Sequence, residues 1–172
     1  SAGQAARRGA RDRHDARVPA GPARGIAATS WRAIAVAAYA GGDLASGTRA
    51  AERALLAAPA DSNAWAWVPW SYPPAYEREL AAAADAAGIE HALLWALVRQ
   101  ESRFDPRAVS RSNARGLTQL LSGTAHDVAR GLHENLAADT LIFEPARALR
   151  YGARYLRQLL DRFDGSIPVA LT

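Results

Sequence analysis

From Trp31 onward the sequence repeats one pattern: alanine-rich runs with apolar residues at helical spacing, each cut off by glycine or proline. Alanine is a strong helix former with little side chain to bury, so such runs dictate short helices in tight contact. "WRAIAVAAYA" predicts a first helix, broken at "GGD" with Asp43 as N-cap of the next. "LASGTRAAERALLAA" is that second helix, ended by Pro59. "YERELAAAADAAG" follows, with an apolar stripe of Tyr76, Leu80, Ala83 and Ala87 and with Gly88 as C-cap. Beyond it come the helix "IEHALLWALVRQESRF", the turn-rich "DPRAVSRSNARG", and an apolar segment leading into a helix with Ser122 or Thr124 near its cap. "EPARALRYGARYLRQLLDRF" closes the pattern, with Pro145 in its first turn. The expected fold class is all-α.

Three pieces are expected. Residues 1–30 mix arginine, glycine and proline without an apolar period and read as a disordered arm or linker. Residues 31–68 hold one α-hairpin. Its "A-x-x-A-L-x-x-x-P" ending is similar to a tetratricopeptide-type helix, and one such unit cannot bury its own apolar face. It therefore reads as the last rung of a longer helical array. The bridge "AWAWVPWSYPPAY" reads as an extended segment pinned by aromatics, more an interdomain seam than a sugar-stacking platform. Residues 69–172 form the remaining domain.

Several functions are disfavoured. The chain has no cysteine, hence no disulfide or thiolate metal site. No apolar run approaches the ~20 residues of a membrane span. The net charge of +4 favours an anionic partner only weakly, and arginines interleaved with acids on the helices read as a solvated face, so no nucleic-acid partner is expected. The chain opens on Ser1 rather than methionine, which reads as a processed or partial product.

Glu101 is the residue that asks for an explanation. Leu94, Leu97 and Glu101 stand at i, i+3 and i+7, so a carboxylate is expected to continue the buried stripe of an apolar helix. Partial burial and the negative end of the helix dipole would both raise its pKa, as a general acid requires. On this pattern alone an ion pair with Arg99, Arg103 or Arg115 explains the residue equally well. Asp105 reads as a turn residue before Pro106.

The surrounding motifs separate the two. "ALVRQESRFDPRAVSRSNARGLTQLLSGTA" resembles the catalytic core of the soluble lytic transglycosylases, which have a lysozyme-like fold. The likeness lies in Glu101-Ser102, Phe104, Pro106, Ala108-Val109-Ser110, Ala114, Gly116-Leu117, Gln119 and Thr124-Ala125. "YPPAY" at Tyr72–Tyr76 looks like the start of the same domain, and Glu144-Pro145, Gly152, Tyr155-Leu156 and Phe163 look like its later motifs. The similarity covers about residues 70–172. It implies Glu101 as acid and base, with Ser102 beside it as a supporting residue, and Ser102, Ser110, Gln119, Leu121 and Tyr155 as the glycan-binding set. Leu121 stands where relatives have a methionine; Thr118, Ser122 and Arg111 also depart from the family pattern and put subsite shape in question.

The implied reaction cuts peptidoglycan between N-acetylmuramic acid and N-acetylglucosamine and closes a 1,6-anhydro ring without water. The implied partner is the glycan strand, met by a monomer in the bacterial periplasm or cell envelope. No metal or organic cofactor is called for. A goose-type lysozyme-like hydrolase and an inactive peptidoglycan-binding module are the rival readings. In relatives the segment after "FDGSIPVAL" runs into an Ala-Tyr-Asn motif, whereas this chain stops at Thr172. Lower stability and weak activity are therefore expected of these residues alone.

Overall fold

The computed structural model describes residues 27–58, 64–138 and 142–166. The arginine-rich stretch, Pro59 and the end of "FDGSIPVAL" lie outside the described residues. Helix α1 (Ala28–Ala40) turns back through Gly41-Gly42 into α2 (Leu44–Leu56). Asp43 caps α2 as its sequence predicts, accepting from the Ser46 N–H at 2.9 Å. The start of α1 at Ala28 takes in the last residues that the sequence had assigned to the arm.

Small residues decide how closely this pair packs. Ala35, Ala50 and Ala51 are buried between the helices, with Trp31 and Tyr39 alongside. Gly47 lies under the Tyr39 ring, where an added Cβ would come within 2.5 Å of a ring carbon.

The aromatic bridge is not extended as expected. It winds into two 3-10 turns: Ala64–Trp67, followed by Val68 N–H to Trp65 O at 3.2 Å, and Pro69–Ser71, closed by Ser71 N–H to Val68 O at 2.9 Å and Tyr72 N–H to Pro69 O at 3.0 Å. Pro69 accounts for the difference, because its fixed φ opens a turn and its missing N–H is not needed there. Trp67 stacks on Trp70, with centroids 5.1 Å apart, and Tyr72 stacks on Trp95 at 5.6 Å.

Helices α3 (Glu77–Ala87) and α4 (His91–Ser102) follow, joined through Gly88 in the left-handed region at φ +64°. Tyr76 is not part of α3. It precedes the helix at φ +54°, and its ring still packs against the core. Helix α5 (Ser122–Gly131) and the long amphipathic α6 (Pro145–Arg162) complete the set. Leu94, Val98, Phe104, Leu117 and Leu149 are fully buried where α3, α4 and α6 meet the loop between α4 and α5. A second cluster around Tyr151, Leu120, Val128 and Ile142 joins α5 to α6. No single helix among the described residues is long and apolar enough to cross a membrane.

Gly152 sets how near that loop comes to α6. Its missing side chain leaves room for Thr118, whose hydroxyl donates to the Ala148 carbonyl at 3.0 Å. A Cβ on Gly152 would stand 2.3 Å from the Thr118 methyl carbon. Gly152→Ala is therefore expected to destabilise the chain by about 1–3 kcal/mol. Urea titration should show a lower midpoint with an unchanged slope; an unmoved midpoint would mean that the loop yields freely.

Candidate active site

The buried face of α4 runs through Leu94, Val98 and Ser102, at i, i+4 and i+8. Glu101 is thus one position off the stripe the sequence suggested, and it is exposed at the end of the helix. The i, i+4 diagonal was chosen by Ser102, a polar residue that periodicity discounts. Although the side chain as a whole is exposed, crowding by protein atoms partly strips water from the Glu101 carboxyl and raises its pKa. Among the described residues no cation or donor offsets that. Arg99 and Arg103 both turn to Glu52 instead, and Arg115 Nε donates to Asn113 Oδ1. The ion-pair explanation of Glu101 fails on this geometry.

After Ser102 the chain reverses through two non-glycine residues in the left-handed region, Arg103 at φ +51° and Phe104 at φ +66°. Each costs about 1–2 kcal/mol, and complete burial of the Phe104 ring offsets it. Asp105 then accepts from the Arg107 N–H at 2.9 Å, the turn role its sequence predicts.

The loop that follows is built from backbone pairs. Val109 bridges to Arg115, and Arg115 in turn bridges to Leu120. Gly116 at φ +73° lies so close to Ile142 that a Cβ would sit 2.5 Å from its carbonyl oxygen. Gln119, at φ +48°, folds its amide back on the loop, Nε2 donating to Gly116 O at 2.9 Å and Ala108 O at 3.2 Å. Those two carbonyls fix the amide's orientation and leave Oε1 as the atom able to accept from a ligand. Ser110 Oγ accepts from the Ala114 N–H at 3.0 Å and pairs with Ser112 Oγ at 2.9 Å. Leu121 is 47% exposed and offers an aliphatic surface just before α5.

Ser110, Gln119 and Leu121 therefore share one loop, and one hydroxyl ties that loop to the last turn of α4, where Glu101 stands. Ser102 Oγ donates to Leu117 O at 2.9 Å, with Val98 O at 3.1 Å. Ser102 is itself buried, at 6% exposure, with its hydroxyl turned to these carbonyls. Tyr155, on α6, is half-buried against the cluster of Leu120 and Ala125 and stands behind the loop. Sequence reasoning missed Glu52 altogether, and for Gly152 it missed the close approach of Thr118, since both contacts join residues too distant in the chain for any local pattern to carry. Among the described residues no group of histidine, aspartate and glutamate side chains fits a metal ion. A cavity of about 600 Å³ between α3 and α6, lined by Arg78, Glu79, Glu144, Arg147 and Arg150, contains none of these residues.

The sequence model of the Transglycosylase SLT domain matches residues 79–172. A putative soluble lytic murein transglycosylase from Haemophilus influenzae is 31% identical over 105 residues, which is 61% of this chain and 18% of that protein. The chain thus spans less than a fifth of that relative. An inactive glutamate-to-glutamine mutant of lytic transglycosylase Slt from Pseudomonas aeruginosa superposes with a TM-score of 0.72 at 28% identity, covering 83% of this chain and 22% of the other. The 70 kDa soluble lytic transglycosylase from Escherichia coli has the same TM-score at 20% identity, over 86% of this chain and 23% of that one; this likeness shows the fold.

Two outcomes follow from the site's geometry. A carboxyl whose pKa folding raises favours the folded state below its unfolded pKa, and loses that contribution as pH rises through the folded value. At pH ~7 the Glu101 carboxylate is then a net cost, so Glu101→Gln should melt no lower than the parent, with any gap closing in acid. A variant that melts lower near neutrality would contradict the raised pKa. Ser102→Ala leaves the Leu117 carbonyl unpaired inside the protein and should cost about 1–3 kcal/mol in urea unfolding; a neutral change would release the loop from this tie.

Proposed function

The chain belongs to the transglycosylase SLT domain family, and from that premise we propose that it cleaves the β-1,4 bond between N-acetylmuramic acid and N-acetylglucosamine in peptidoglycan without hydrolysis. The observation that carries the reading is Glu101: a carboxyl with a raised pKa, at a helix end, joined by Ser102 to the loop of Ser110, Gln119 and Leu121. A carboxyl whose pKa burial raises keeps its proton to higher pH than a free glutamate, which suits protonation of a glycosidic oxygen. As the leaving sugar departs, positive charge grows on the muramyl ring. The Glu101 carboxylate, now ionised, then takes the proton of that residue's C6 hydroxyl. The C6 oxygen closes on C1 and gives the 1,6-anhydro end.

A glycosidase that uses water ordinarily needs a second carboxyl. An internal hydroxyl removes that need, because a tethered nucleophile has a high effective concentration. Asp105, the nearest acid in sequence, has its carboxylate engaged by the Arg107 N–H, which supports a single-acid reading. The inactive Pseudomonas mutant carries a glutamine in place of a glutamate, which supports a glutamate as the essential group in that relative. In this reading Gln119 Oε1 and the Ser110 hydroxyl contact the sugar's polar groups, Leu121 packs on its apolar face, and Tyr155 backs the loop. The site of action is the bacterial cell envelope.

Purified peptidoglycan digested by the chain should yield anhydromuropeptides by mass spectrometry, and the Glu101→Gln chain should yield none above background. Reducing ends would make the enzyme a lysozyme-like hydrolase, and equal yield from both chains would remove Glu101 from the chemistry.

A further inference from the structure

Glu52 lies on α2, outside the residues that match the family, yet its carboxylate reaches across to α4. Oε1 accepts from Arg99 Nη2 at 2.9 Å, and Oε2 accepts from Arg103 Nε at 2.8 Å. The two arginines stand two residues before and two after Glu101. We propose that Glu52 is a positioning residue: by gripping Arg99 and Arg103 together it fixes the last turn of α4, and with it the direction of the Glu101 carboxyl. The inference rests on the reading of Glu101 as the acid.

The physics of the helix end makes the grip necessary. Arg99 and Arg103 are i, i+4 neighbours, and like charges at that spacing push a helix turn apart. Arg103 also holds the left-handed position that ends α4, where a helix frays most easily. A carboxylate between the two guanidinium groups turns that repulsion into a clamp. The clamp is seated on firm ground. Glu52 and Arg99 side chains are each only 22% exposed. Arg99 further donates from Nε to Ser71 O at 2.9 Å and lies 4.2 Å over the Tyr72 ring, which itself stacks on Trp95 of α4.

Glu101 points from a different face of the helix than its arginine neighbours, since residues two apart do not face each other. Glu52 therefore acts on its orientation rather than by direct contact. Ser102 holds the same turn from the loop side. The last turn of α4 is gripped from two directions, and the hairpin of α1 and α2 becomes part of what aims the acid.

Glu52→Gln keeps the side chain's shape and removes its charge. On soluble uncross-linked glycan strands, kcat should fall about ten-fold while KM stays within about two-fold. Amide exchange at Arg103 and Phe104 should quicken about ten-fold, with α6 unchanged. Arg103→Gln cuts the same grip from the other side and should reproduce both effects if Glu52→Gln folds poorly. Glu144→Gln, which breaks a pair with Arg147 on α6, should produce neither. Unchanged kcat, unchanged exchange at the helix end, or a rise in KM alone would overturn the inference. Should the parent chain release no anhydro product, the functional reading fails separately. The ¹³C signal of the Glu101 carboxyl then decides: a shift in Glu52→Gln upholds the positioning, and an unmoved signal overturns it.

Discussion

The hydroxyl of Ser102 is the contact on which the rest of the site depends. A serine in the last buried turn of an apolar helix must find a partner or cost the fold about 1–3 kcal/mol. Here the partner is the carbonyl of Leu117, fifteen residues on, in a loop that has no regular structure of its own. The bond makes α4 and the loop one unit. Leu117 fills the core on one side of it, and Thr118, seated over Gly152, brings the same loop down onto α6. Gln119 and Leu121 are then flanked in the chain by residues that are themselves buried, Leu117, Thr118 and Leu120. Glu101 is the neighbour of the anchoring serine, so acid and loop share one foundation.

That arrangement suits a reaction needing one carboxyl in a defined direction and little else from the protein. Crowding keeps the carboxyl protonated more readily than a free glutamate, while exposure keeps it open to a polymeric substrate. Both conditions hold at a helix end better than in a closed pocket. The arginines nearby would spoil the first condition if they faced the acid. Instead Glu52 of α2 draws both of them to the opposite side. An element outside the family's own segment thus shares in setting the acid's surroundings.

Much of this was legible in the sequence, and the limits have physical causes. Helix ends that rest on local chemistry were readable: the Asp43 cap, the Gly88 left-handed stop and Pro145 in the first turn of α6 all stand where the residues predict. Errors arose where tertiary contacts decide. Tyr76 looked like one more apolar residue on a helix face, but its ring packs on the core from a left-handed position before the helix. The tryptophan-proline bridge looked extended because proline forbids a regular helix; it equally permits a 3-10 turn, and ring stacking selects that. The buried face of α4 lies one residue from the apolar stripe of Leu94 and Leu97, because Ser102, a polar residue, takes a core position. The contacts of Glu52 join residues 47 and 51 positions apart, which no periodicity encodes. The motif likeness points to Glu101, while the surroundings of its carboxyl depend on contacts that only the fold brings together.

The central claim is that one carboxyl, with an internal hydroxyl as nucleophile, breaks the glycan without water. Its most direct test is digestion of purified peptidoglycan in H₂¹⁸O, with mass analysis of the muropeptides released. The account predicts anhydromuropeptides that carry no ¹⁸O, because the C6 oxygen of the substrate itself closes on C1. Products bearing one ¹⁸O at the reducing end would show that water attacks, and would contradict it.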